Sequence, residues 1–133
     1  MELLEKINKA KRIYIIGNGG SYSNAQHIQN DLLAVGIKAY TLEPSSLTAS
    51  ANDFGYETVF SRWLRVVGEK GDLLIALSGS GKSRNILEAI KVAEDIGMEV
   101  HKVFGAEMGQ DMQAAEEFQL VIGHDIWRCL KKN

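Results

Sequence analysis

Apolar positions change their period several times along the chain, and each change marks an element. In residues 2–9, Leu3, Leu4 and Ile7 recur at helical spacing among charged neighbours. Residues 12–16 instead close in an apolar run, Ile13-Tyr14-Ile15-Ile16, that predicts a short buried strand ending at Gly17. Beyond Gly17-Asn18-Gly19-Gly20-Ser21, the positions Ala25, Ile28, Leu32 and Leu33 return to helical spacing, and Gly36 marks the stop. Residues 37–42 predict a second strand, closed by the single proline, Pro44, in a serine-rich loop. Val59, Phe60, Trp63, Leu64 and Val67 then share one face of a helix that Gly68 ends.

Residues 72–77, Asp-Leu-Leu-Ile-Ala-Leu, are almost wholly apolar, as a strand covered on both faces of a parallel sheet must be. They lead into Ser78-Gly79-Ser80-Gly81-Lys82-Ser83 and a helix carrying Ile86, Leu87, Ile90, Ala93 and Ile96 up to Gly97. Residues 99–104 predict a fourth strand and residues 118–122 a fifth, before a short apolar tail around Trp127 and Leu130. Strands alternating with helices imply right-handed crossovers. The expected fold is therefore α/β, a three-layer, doubly wound, flavodoxin-like parallel sheet of about five strands with helices on both faces. A chain of 133 residues supports one core and is short for two, so residues 1–133 are expected to form a single domain.

Charge narrows the partners. The 15 Lys+Arg against 17 Asp+Glu leave a net charge of −2, which gives no electrostatic footprint for nucleic acid or an anionic membrane. Any anion must be gripped locally. The one cysteine, Cys129, has no internal disulfide partner, and the N-terminal residues are charged and amphipathic rather than a signal peptide, so a cytoplasmic protein is expected. No apolar run approaches the roughly 18 residues of a spanning helix.

Both glycine loops follow a strand and open a helix, which aims backbone N–H groups and a helix dipole at the carboxyl edge of the sheet, where anions bind. Glycines at 17, 19 and 20 permit a tight turn and close approach, and Ser21 is placed to cap the helix or to donate to a phosphate. In the second loop the hydroxyls of Ser78, Ser80 and Ser83 surround Gly79 and Gly81, a density of short donors suited to a phosphate monoester. Either loop alone reads equally as an ordinary turn with a serine cap. Gly81-Lys82-Ser83 also matches the end of a nucleotide-binding P-loop, but Ala76 stands where that motif needs its first glycine.

Gly17-Asn18-Gly19-Gly20-Ser21 followed by Ala25-Gln26-His27 resembles the first-loop signature of the phosphoheptose isomerases, within the sugar isomerase (SIS) family. Asn52-Asp53-Phe54-Gly55-Tyr56 with Phe60-Ser61-Arg62, Gly71-Asp72 before the central strand, and Ser78 through Asn85 are similar to further segments of that family, in the same order. The resemblance implies ketose–aldose isomerisation of sedoheptulose 7-phosphate to a heptose 7-phosphate through an enediol, with a phosphorylated sugar as partner and no nucleotide or organic cofactor. It implies that Ser78, Gly79, Ser80 and Ser83 bind phosphate, that Asn18, Gly19, Gly20 and Ser21 hold sugar or phosphate oxygens, and that Asp53 contacts sugar hydroxyls. It also implies that His27 binds a metal such as zinc, and that the working form is a homo-oligomer, a dimer or tetramer. Independently of the resemblance, His27 and Asp31 are one helical turn apart and present an imidazole beside a carboxylate, a pairing suited to a metal or a proton relay and equally to a solvated helix face.

The sequence departs from the family in places. Asp31 stands where the family has a glutamate base, one methylene longer. The family's long N-terminal helices are mostly absent, and Lys82 replaces a neutral residue in the serine loop. The family's long final helix, with a Gln ligand and a catalytic His, meets two competing registers here. With residues 118–122 as a strand, the register preferred because residues 114–121 then align with the family without a gap, that helix is missing and His124 takes the place of the lost histidine at the strand's carboxyl edge. With residues 111–131 as one helix, Glu116 and His124 share a face as the ligand pair. Asp31 and His124 are the acid/base candidates, and His27, Asp31 and His124 the metal-ligand candidates. A non-catalytic sugar-phosphate-binding module is the alternative function, and a P-loop nucleotide binder the third.

Overall fold

Two strands buried on both faces organise the molecule, whose computed structural model describes residues 2–131. β1 (Ile13–Ile16) pairs in parallel with β3 (Leu73–Ser78), Ile13 opposite Leu73 and Ile16 opposite Ala76. β2 (Ala39–Tyr40) and β4 (Glu99–Phe104) flank them in the order β2-β1-β3-β4, all parallel. Successive side chains on a strand point to opposite faces, which divides the apolar residues into two cores. Tyr14, Ile16, Leu74 and Ala76 face Phe60 and Leu64 of α4 (Val59–Val67) and Ile86, Ala89 and Ile90 of α5 (Arg84–Ile96). Ile13, Ile15, Leu73, Ile75 and Leu77 face α1 (Glu2–Lys9), α2 (Gly20–Ala34) and α6 (Met112–Lys131) through Leu3, Ile7, Ile28, Leu32 and Ile126. The expected α/β sheet with helices on both faces is present.

Three local expectations are corrected. The predicted fifth strand at 118–122 is part of α6, so the sheet has four strands among the described residues and the long final helix is present. The buried positions Ala115, Gln119, Gly123 and Ile126 follow a helical period, and Val121, inside the apolar run, is 50% exposed. Gly123 lets α6 approach α2, because a Cβ there would lie 2.7 Å from Ile28 Cγ1. The second strand shrinks to two residues at the sheet edge. The serine-rich loop after Pro44 is instead a helix, α3 (Pro44–Phe54), with the proline in its first turn, where a missing N–H costs nothing. It buries no residue fully and packs only Leu47 and Ala51 on the core, so its apolar period is faint.

His101 on β4 is half-buried, with Lys6 Nζ 3.4 Å from its Nδ1, and Lys6 also pairs with Glu2 and Glu99. Burial first and the Lys6 cation second hold its imidazolium below the ordinary histidine range, against a smaller opposing pull from Glu2. As pH falls through about 6.5, the unfolded chain therefore takes up this proton before the folded one. The fold loses stability there, and the loss levels off below the folded-state value. A His101→Gln variant should show a smaller drop in urea midpoint between pH 7 and pH 5 than the parent protein.

Candidate active site

The carboxyl ends of β1 and β3 deliver the two glycine loops to one place, and a reciprocal pair of amides, one of them buried, ties them together. Asn18 Nδ2 donates to Asn85 Oδ1 at 2.8 Å, and Asn85 Nδ2 donates back to Asn18 Oδ1 at 2.9 Å. The Tyr56 hydroxyl donates to the same Asn18 oxygen at 2.6 Å. In the second loop the Gly81 N–H donates to Ser78 Oγ at 2.9 Å and the Lys82 N–H to Ser80 Oγ at 3.1 Å, while Ser78 Oγ and Ser83 Oγ lie 3.5 Å apart. These bonds hold the serine loop open around the start of α5, whose dipole favours an anion.

Asn18, Ser21, Ser78, Gly79, Ser80 and Ser83 line one recess, roofed by Met112. Gly19 borders a neighbouring cleft of about 230 Å³ shared with Tyr22, Leu47 and Tyr56. Burial holds the Tyr22 phenol above its ordinary range, so it stays protonated and donates to the Leu42 carbonyl. Gly20 lies under the Glu116 carboxylate, which occupies the space a Cβ would need. That carboxylate sits at the N-terminus of α2, where it meets the positive end of that helix's dipole. Asp53 is not brought to the recess: it is exposed in the last turn of α3 and accepts a bond from its neighbour Asn52.

Packing of α6 on α2 joins the remaining candidates. His124 is on a helix rather than at the edge of a strand, and its Nε2 lies 3.0 Å from His27 Nε2. Asp31 Oδ2 lies 3.4 Å from the same His27 nitrogen, and it is buried without a hydrogen-bond partner in the described residues. All three donor atoms fall within 4.8 Å of one another. Ligands about 2.0–2.1 Å from a tetrahedral zinc are separated by roughly 3.3 Å, so the two short edges of this triangle suit a divalent cation. The orphaned carboxylate oxygen has the same meaning, since buried anionic oxygens are otherwise paired.

Asn85, Tyr56 and Gln119 escaped the sequence reading as site residues. Asn85 stands two positions beyond Ser83, at the end of the Ser78–Asn85 segment, but only the fold shows its amide facing Asn18. Gln119 was hidden by its placement in a strand.

The SIS domain profile matches residues 2–105. A phosphoheptose isomerase of Helicobacter pylori (strain P12) is 39% identical over 131 residues, covering 92% of this chain and 68% of that protein. One from Akkermansia muciniphila is 39% identical over 129 residues, covering 91% and 68%. The structure of phosphoheptose isomerase GmhA from Neisseria gonorrhoeae superposes with a TM-score of 0.85 at 28% identity, covering 98% of this chain and 82% of that one.

Proposed function

The chain belongs to the SIS domain family, alongside its phosphoheptose isomerases, and we propose that it interconverts sedoheptulose 7-phosphate and an aldoheptose 7-phosphate through an enediol. One observation carries this reading: a single helix, α2, borders the phosphate recess at its first turn and carries His27 and Asp31, which His124 of α6 joins, further along. Ser21 and His27 are six residues apart, about 9 Å along the axis. An extended seven-carbon sugar phosphate spans a comparable distance between its phosphate and its carbonyl end.

The hydroxyls of Ser21, Ser80 and Ser83 and the dipole of α5 anchor the phosphate. Asn18, held by Asn85 and Tyr56, fixes the sugar chain beyond it. At the other end a proton must leave one carbon and return to its neighbour, and we assign this transfer to Asp31 and His124. His27, Asp31 and His124 would hold a zinc ion, which when bound supplies positive charge to stabilise the enediolate. Asp31, a methylene shorter than the family's glutamate, favours a second reading in which the domain binds the sugar phosphate without turning it over. We further propose a cytoplasmic homo-oligomer, a dimer or tetramer. Exposed Tyr56 at the edge of the site supports a covering copy.

The test is conversion of sedoheptulose 7-phosphate by purified protein, followed by NMR with added zinc and after chelation. Aldose formation is expected with zinc. Loss of turnover on chelation with phosphate binding intact assigns the cluster's main duty to the metal, and persistent turnover assigns it to proton transfer alone. Binding without conversion in either condition would overturn the isomerase in favour of the binding module.

A further inference from the structure

Gln119 is one of the few polar side chains buried among the described residues, 1% exposed, and its side-chain hydrogen bonds run to Asn24 and Ser21 rather than to His27, Asp31 or His124. Its surroundings determine its orientation. Asn24 Nδ2 donates to the Glu116 backbone carbonyl at 2.8 Å, an atom that can only accept, so this end of the Asn24 side chain is its NH₂. The same NH₂ reaches Gln119 at 2.9 Å, which must therefore offer its carbonyl oxygen there. The Gln119 NH₂ is left facing Ser21, and it donates to Ser21 Oγ at 3.0 Å. Ser21, 3% exposed, lines the recess with Ser78, Ser80 and Ser83. Among the described residues no protein group accepts its hydroxyl proton.

We propose that Gln119 is a positioning residue that makes Ser21 a committed donor to the phosphate. A serine hydroxyl ordinarily rotates to suit its neighbours. Here one lone pair is occupied by the Gln119 N–H, and the backbone carbonyl of Glu116 fixes the polarity of the relay from Asn24 through Gln119 to Ser21. The Ser21 proton is thereby aimed into the recess before any ligand arrives. Such preorganisation strengthens a charge-assisted bond without any contact between Gln119 and the ligand. The proposal rests on reading the serine-lined recess as the phosphate site.

The test is the affinity for inorganic phosphate and the KM and kcat for sedoheptulose 7-phosphate in Gln119→Glu, Gln119→Met, Ser21→Ala and the two double variants. Gln119→Glu removes the donor and substitutes an acceptor that competes for the hydroxyl proton. It should weaken phosphate binding about tenfold or more, as for loss of a bond to a charged group. KM should rise with it while kcat changes little. Gln119→Met should weaken binding less, and it carries the test if the buried carboxylate prevents folding. In the Ser21→Ala background most of the loss from either substitution should vanish, because the relay then has no hydroxyl to orient. Equal loss with and without the Ser21 hydroxyl, unchanged phosphate affinity in the single variants, or failure of the parent protein to bind phosphate would each overturn the proposal. If phosphate binding shows the coupling but the ketose phosphate is not converted, the relay stands and the isomerase reading falls.

Discussion

Replacing His124 with alanine is expected to lower kcat/KM for sedoheptulose 7-phosphate by about 10²–10⁴-fold, the range for loss of a positioned proton-transfer group. The affinity for inorganic phosphate should stay within about twofold of the parent, because His124 approaches His27 and not the serine loop. His124 is only partly buried and sits on the face of α6 turned to α2, beside the packing residues Gln119 and Ile126 rather than among them. Its removal should therefore leave the thermal midpoint almost unchanged. A large fall in midpoint would mean that the His27–His124 contact holds the two helices together, and the kinetic loss would then report misfolding rather than chemistry.

Gly17→Ala should be the most damaging single methyl in the site. A Cβ at Gly17 would stand 2.7 Å from both the carbonyl carbon and the oxygen of Ser21, and 2.8 Å from Ser21 Cβ. The first two are backbone atoms, which have no rotamer by which to retreat. The loop must move, and overpacking of this kind costs about 1–3 kcal/mol. A displacement of about 1 Å at the phosphate anchor costs on the order of a hundredfold in rate. Gly19→Ala is the informative comparison, since its Cβ would meet nothing within 4 Å while its φ of +56° strains any side chain. With ψ at −121° this backbone lies outside the left-handed helical well, so the variant should lose about 1–3 kcal/mol of stability, with a smaller fall in activity than Gly17→Ala. Parallel melts and kinetics on the two variants check both.

The contrast between these glycines shows what could be read from the residues alone. That the first loop must turn tightly and approach a ligand was legible in Gly17-Asn18-Gly19-Gly20-Ser21. Which glycine answers to the Ser21 backbone, which to a positive φ and which to the Glu116 carboxylate depends on contacts with α2 and α6 that lie outside the loop. β1, β3 and α5 were legible because an unbroken apolar run or a clean helical period leaves little choice. α6 was not, because residues 118–122 read as a strand until the burial of Gln119, Gly123 and Ile126 along one helical face is known. The same error concealed Gln119 and misplaced His124. His27 and Asp31 could be paired from their spacing of one turn, whereas their meeting with His124, 97 positions from His27, required the packing of α6 against α2. Asp53 shows the opposite case, a motif residue that the fold leaves exposed on α3, away from the recess.

The most direct test of the isomerase assignment is incubation with sedoheptulose 7-phosphate in deuterated buffer, with NMR observation of the carbon next to the carbonyl. Proton transfer through an enediol predicts deuterium at that carbon and the appearance of aldose signals with the parent protein, and neither with Asp31→Ala. Incorporation that survives in Asp31→Ala would keep the isomerase and take the proton transfer away from Asp31, whereas phosphate-dependent binding shifts without deuterium incorporation would contradict the assignment itself.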